Sequence, residues 1–445
     1  MTSPDDMVSL VERALEKARR LADEAEVVLR DDDSAGALIR GALSNGRAAS
    51  RTLLGARLRI GRRVGMASVT LAGDDAVDRL LAQARDAALS GAELAQEPRY
   101  ADGERLVTKA YRKEEAPMGT LDARDRAALL AERVRGAAEY FTVSAGGARM
   151  RIVVGTTGGT LVADAVESTS AVIEARVNER IPRAITGHRM GTAALAPEGF
   201  AEEILEDLRR GQIVAALAPG RETVIFDADT ASKILPSLTI HLSSTLVRQN
   251  LSRFTGKMGA RILSEAVTIR DAAHGTALGG RAREVDDEGV RTRARDIVEQ
   301  GVLRDLTYSA EEARLAEKKD AAGNGFRGGD VVDAAPRPGF VQVELAAGAR
   351  PMHEIVASTK RAILVKHELL GWYHSTGVTG LLSMVAPCAF LVENGRIVSG
   401  LPPVTLGFDA IAALEDARLE VGADATLTPQ GLCAPMVLHD VAVST

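Results

Sequence analysis

A chain of 445 residues, 46% hydrophobic and 26% charged, is long enough for two globular domains, each burying its own core. Its net charge of −6 argues against nucleic acid as the main partner, because phosphate binding rests on excess Lys and Arg. No apolar run nears the ~18 residues of a bilayer-spanning helix. The acidic opening MTSPDDMVSLVERALEKARR lacks the basic region and apolar core of a secretion signal. A cytoplasmic protein without membrane contact is expected, with Cys388 and Cys433 as reduced thiols.

The first predicted element is a helix. Ser3 caps it, Pro4 takes the first turn and Asp6 completes a capping-box pattern. Val8, Val11, Leu15, Ala18 and Leu21 recur at helical spacing. Strands are expected over Ala25–Leu29, Leu53–Ile60 and Met66–Leu71, the last two joined by Gly-Arg-Arg-Val-Gly. Helices follow over Asp74–Leu89 and Ala123–Phe141, then strands Met150–Val154 and Thr160–Val177 turning at Gly158-Gly159, and a helix Phe200–Leu217. This alternation reads as an α+β N-terminal domain, residues 1–217, with helices and antiparallel strands.

Ala218-Pro219-Gly220 breaks the pattern. Beyond it a β-rich C-terminal domain, residues 221–445, is expected. It opens with strand Thr223–Phe226 and a helix from Asp229, and continues with strands at Val302–Leu306, Gly339–Leu345, Ala362–Leu370, Ala389–Val392 and Met436–Val443.

Motifs for chemistry are sparse. Gly323-Asn324-Gly325-Phe326-Arg327-Gly328 spells G-x-G-x-x-G, but no strand precedes it and no helix follows, so it reads as a polar loop and not a dinucleotide site. There is no G-x-S-x-G elbow, and both cysteines read as small buried hydrophobes. His353-Glu354 and His367-Glu368 resemble the start of a zinc-peptidase helix. A second imidazole four residues on would fall on Ala357 or Gly371, and five on, Ser358 or Trp372. Both pairs read as coincidences in β-rich segments.

Four blocks in order carry a resemblance: Phe254-Thr-Gly-Lys-Met-Gly259, Asp286-Asp-Glu-Gly-Val290, Val302–Leu306, and HELLGWYHSTGVTGLLSMVAPCAFLVENGRI from His367 to Ile397. Together the chain resembles the TldD/TldE (PmbA) peptidase family, well in its C-terminal half and in outline before it. The family's zinc-bearing members hold the metal on an HExxxH helix about a dozen residues before the F-x-G-x-x-G block. Here that helix would be Thr239–Asn250, with His241 at the first ligand position, Leu242 where the catalytic Glu would stand and Leu246 where the second His would be.

The resemblance therefore implies a TldE-like subunit with no metal or catalytic residue of its own, partnered by a TldD-like subunit that carries the zinc and acting on small or unfolded peptides. Without the glutamate, nothing on that helix can deprotonate a metal-bound water. Asn324, Arg327 and His374, in polar glycine-rich turns, are the candidate substrate-facing residues. Homodimers are open to the chain when the partner is absent. Two rival readings remain: a self-sufficient hydrolase with an unusual ligand set such as His241, His374 and Cys433, and a non-enzymatic binding or scaffold protein.

Overall fold

The computed structural model describes residues 3–95, 100–101, 103–113, 117–177, 183–191, 198–318, 323–328, 332–371 and 378–445. Helix α1 (Pro4–Ala18) begins as its sequence dictates. The Ser3 hydroxyl accepts from the Asp6 amide, and the Asp6 carboxylate accepts from the Ser3 amide. Such a reciprocal cap contributes about 1 kcal/mol. The stripe Met7, Val11, Ala14, Leu15 and Ala18 is buried.

Strands β1 (Glu24–Arg40), β2 (Leu43–Ile60) and β3 (Arg63–Thr70) form an antiparallel meander much longer than the sequence suggests. β1 also pairs along its length with β5 (Tyr140–Thr156), which pairs with β6 (Leu161–Val177). β4 (Arg105–Val107) and β7 (Arg183–Met190) join opposite ends of β6, giving a seven-stranded sheet. The outer half of β2 carries no strand signal because it is exposed on both faces: from Gly41 to Arg51 every residue is exposed. An apolar pattern marks a strand only where one face is buried.

Helix α2 (Ala76–Ser90) packs on β2 and β3, and stops at Gly91. Helix α3 (Thr120–Arg135) ends earlier than expected, and Phe141 belongs to β5. Helix α4 (Glu198–Arg210) is also shorter than the expected Phe200–Leu217.

Strand β8 (Gly220–Phe226) begins an eight-stranded mixed sheet. It pairs parallel with Arg361–Val365 and antiparallel with Met436–Ser444. A second, six-stranded sheet is built from short strands, among them Ile269–Asp271, Arg295–Glu299, Val343–Leu345 and Gly431–Cys433.

One apolar cluster lies within residues 7–163 and another within residues 217–443. A third is shared. Leu130 and Val134 of α3 and Phe200 and Ile204 of α4 pack with Ile225, Leu364 and Phe390 of the eight-stranded sheet. A polar knot crosses the same divide. Glu26 on β1 receives Arg57 at 2.9 Å and also Arg327, its carboxylate being 1% exposed. The family-like Asp286–Gly289 segment completes it. The Asp286 carboxylate accepts from the amides of Glu288, Val290 and Gly325, and Glu288 accepts from the Ala310 amide. A Cβ on Gly325 would lie 1.9 Å from the Glu288 carboxylate, and Gly289 has φ +84° against Thr160 and Val162. Both positions exclude a side chain for those reasons.

Candidate functional site

The segment that the resemblance puts at the zinc-helix position is not one helix. Leu235–Thr239 is helical, Ile240–Leu242 is a 3-10 turn, Ser243 is extended (φ −80°, ψ 127°), and Ser244–Arg248 is a separate short helix. Thr307 causes the break. Its amide donates to Leu242 O at 2.9 Å and its carbonyl accepts from Ser244 N at 3.1 Å, so strand pairing replaces helical bonding at Ser243. The expected continuous helix Thr239–Asn250 is thereby corrected.

His241 is fully buried. Its Nδ1 accepts from the Arg253 amide at 3.3 Å, its ring meets Phe254 edge-on, and Nε2 has no partner. Burial, with the Arg253 charge second, holds its pKa below the usual imidazole value. Leu242 is fully buried as well. Leu246, by contrast, lines a cavity of about 1090 Å³ together with Ile240, Ser243, Arg57, Tyr100 and Phe340. His241 is not among that cavity's walls. A zinc ion does not fit here: neither Leu242 nor Leu246 offers a ligand, and the one imidazole is turned into the core.

The other expected residues are placed differently from the sequence reading. Asn324 is fully buried; its Nδ2 donates to Asp271 at 2.5 Å and its Oδ1 accepts from Arg295. Arg327 is buried in the Glu26 knot and also bonds the carbonyls of Ala334 and Asp287. Both are internal structural contacts, which corrects their reading as substrate-facing. His374 lies outside the described residues. Gly325-Phe326 pairs with Arg337-Pro338 in a two-stranded ribbon, so the G-x-G-x-x-G run opens no helix. Cys388 and Cys433 are buried. His353-Glu354 sits exposed on the short helix Met352–Ser358, not in a β segment.

His367 is the residue whose reading changes most. It is 1% exposed, at φ +70°, just past the strand Arg361–Val365. Because that strand runs parallel to β8 with Val365 opposite Phe226, the polar residues following both strands emerge side by side. Asp227, Ala228 and Asp229 follow one; Lys366 and His367 follow the other. Helix α4 adds Glu203 and Asp207, one turn apart on one face.

The contacts are dense. Lys366 Nζ lies 2.5 Å from Asp207 and 3.0 Å from Glu203. His367 Nε2 lies 2.8 Å from Asp207, and the His367 amide donates to Asp227 at 2.8 Å. The other oxygen of Asp227 caps the helix Ala228–Ser232 by accepting from the Thr230 amide at 2.9 Å and hydroxyl at 2.7 Å. Arg189 bonds Glu203, lies 3.4 Å from Asp229 and stacks over Phe200. Beside the cluster is a cavity of about 480 Å³ walled by Asp227, Asp229, Glu203, Lys366, His188 and Met352 among others.

The charges respond. Burial alone would raise Asp207, but the His367 hydrogen bond and the Lys366 charge hold it below the carboxylate range. Burial, then Asp227, pushes Asp229 up to about 8. Burial and the Lys233 charge bring His188 down to about 4. Burial, with Asp229 and Asp227 nearby, drives the Cys433 thiol well above its usual value. Two groups of three ligand-type side chains result, Glu203–Asp207–His367 and Asp227–Asp229–His367, each with its ligand atoms within 4.8 Å of one another. Sequence reading missed Asp207, Asp227, Asp229 and Lys366. The available signal was an apolar run ending in charge, twice: VIFDAD and AILVKHE.

The model of the PmbA/TldA metallopeptidase C-terminal domain matches residues 219–445. A metalloprotease of Methanocaldococcus jannaschii is 31% identical over 46% of this chain and 45% of its own length. A TldD-homologue metalloprotease of Haemophilus influenzae is 27% identical over 46% of this chain and 42% of its own. The matches thus span less than half the length of these relatives. The crystal structure of TldE from Thermococcus kodakarensis superposes with a TM-score of 0.81 over 98% of this chain and 99% of that one, at 18% identity, a likeness of fold. With the blocks from Phe254 to Ile397 in order and the C-terminal half matched throughout, the chain belongs to the TldD/TldE (PmbA) family.

Proposed function

We propose that this chain is a TldE-like, non-catalytic subunit of a cytoplasmic TldD/TldE zinc metallopeptidase heterocomplex acting on small or unfolded peptides, in peptide turnover or natural-product maturation. The zinc and the general base belong to a TldD-like partner. The observation that carries this reading is the 240–248 segment: Leu242 and Leu246 in place of base and ligand, a helix broken at Ser243, and His241 facing away from the cavity. Peptide hydrolysis at zinc needs a ligated metal and a base beside the attacking water, and this segment supplies neither. The division into residues 1–217 and 221–445 belongs to the same proposal, with the 1090 Å³ cavity drawing walls from both parts.

The test is co-purification with a TldD-like subunit carrying an intact HExxxH, followed by peptide hydrolysis by each chain alone and by the pair. The expected outcome is a stable complex, activity in the pair and none in this chain alone. Full activity of the TldD-like subunit alone would remove the partner role, and hydrolysis by this chain alone would remove the non-catalytic one.

A further inference from the structure

We propose that Asp227, Asp229 and His367 form a site for one divalent transition-metal ion, separate from the family's zinc-helix position. A carboxylate oxygen from each aspartate and a ring nitrogen of His367 lie within 4.8 Å of one another; Asp227 and His367 are buried, and the Asp229 side chain is 12% exposed. Clustered acids alone would not make a site. The second observation is His367 itself: its Nδ1 is buried and has no hydrogen-bond partner. A buried ring nitrogen without a partner is costly unless something occupies it.

The surroundings set that nitrogen up as a ligand. Asp207 lies 2.8 Å from Nε2, and an ionised carboxylate can only accept, so Nε2 carries the proton and Nδ1 keeps its lone pair. A carboxylate on the far nitrogen is the arrangement that orients metal-bound histidines and raises their basicity. Lys366 and Glu203 anchor Asp207 in turn. The Asp227 carboxylate is fixed by the Thr230 and His367 amides. Arg189 lies 3.4 Å from Asp229, longer than a strong charge-assisted bond, and leaves that carboxylate able to turn to a cation.

One imidazole with two carboxylates selects for ions such as Zn²⁺, Mn²⁺, Fe²⁺ or Co²⁺ over Ca²⁺ or Mg²⁺, which take oxygen alone, and over Cu⁺, which takes sulfur. Three protein ligands leave coordination positions for water or for a ligand group. Asp227 and Asp229 both wall the 480 Å³ cavity, so those positions have a route to solvent. The site would add a metal to the chain without restoring the zinc-helix chemistry, and it goes beyond the proposed function above.

The test uses the full chain, stripped by chelator and titrated with Zn²⁺ by calorimetry and with Co²⁺ by visible absorption. One equivalent should bind. Asp229→Asn and His367→Gln should each abolish it, and Asp207→Asn should weaken it roughly 10- to 100-fold. His241→Asn should leave it unchanged. Circular dichroism checks the fold of each variant, and if His367→Gln fails to fold, Asp229→Asn carries the test. No binding tighter than millimolar, equal affinity in Asp229→Asn, or loss of binding in His241→Asn would each overturn the proposal. Peptide hydrolysis by the loaded chain alone would sink the non-catalytic reading instead, provided that binding still depends on Asp229, so the two failures are distinguishable.

Discussion

His241 and His367 are both buried histidines with one ring nitrogen unpartnered, yet they sit in opposite chemical settings. His241 stands where the family resemblance would put the first zinc ligand, between Leu242, Phe254 and the Arg253 amide. It belongs to no group of three ligand-type side chains among the described residues. His367 has no place in that motif, and it is surrounded by Asp207, Asp227, Asp229, Glu203 and Lys366. One has the position without the chemistry, the other the chemistry without the position. The contrast teaches that a buried histidine is read from the groups within bonding reach, not from its place in a pattern.

The largest effect should come from the charged cluster. Asp207→Ala leaves Lys366 with Glu203 as its remaining carboxylate partner and His367 Nε2 without an acceptor. Removing one side of a buried ion pair typically costs about 3–5 kcal/mol, and a drop of that size should appear in the denaturant midpoint. A change below about 1 kcal/mol would show that the Asp207 contacts are not what holds α4 to the strand ends.

Restoring the motif's letters should fail at the other region. Leu242→Glu with Leu246→His recreates HExxxH, but Leu242 is fully buried and the backbone is extended at Ser243. Burying the new carboxyl should cost on the order of 3 kcal/mol. Elemental analysis should find no zinc equivalent beyond what the parent chain takes up. An extra equivalent would show that the helix can reform around a metal, and the contrast between the two histidines would collapse.

The smallest effect belongs to His241→Met, which keeps the core filled. Apolar swaps of similar volume usually cost less than about 1.5 kcal/mol. Because burial depresses the His241 pKa, the folded chain resists protonation there. The associated stability is present above the unfolded imidazole pKa of about 6.5 and is lost as pH falls below it. Denaturation midpoints at pH 7.5 and 5.5 should therefore diverge less in the variant than in the parent. Equal divergence in both would place the acid sensitivity elsewhere.

Much of the scaffold was legible in local sequence. The Ser3–Asp6 cap, the helix ending at Gly91 and the apolar runs that became β8 and Arg361–Val365 are short-range signals. Each depends on residues within a turn or two of one another. The reading of His241, Leu242 and Leu246 as a zinc motif without base or second ligand came from the family resemblance, counted back from the Phe254 block.

What only the tertiary structure decided are the pairings between distant segments. No local rule brings Phe226 opposite Val365, yet that parallel register sets Asp227 beside His367 and makes a cluster from two short charged segments. The break at Ser243 comes from Thr307, more than sixty residues away in sequence. Asn324 and Arg327 read as loop residues until Asp271, Arg295 and Glu26 close over them. Propensity and capping act through bonds within a few residues, so sequence fixes elements and motif letters. Burial, strand register and ion pairing act between segments, so whether a histidine faces carboxylates or a phenylalanine is settled only when the sheets assemble.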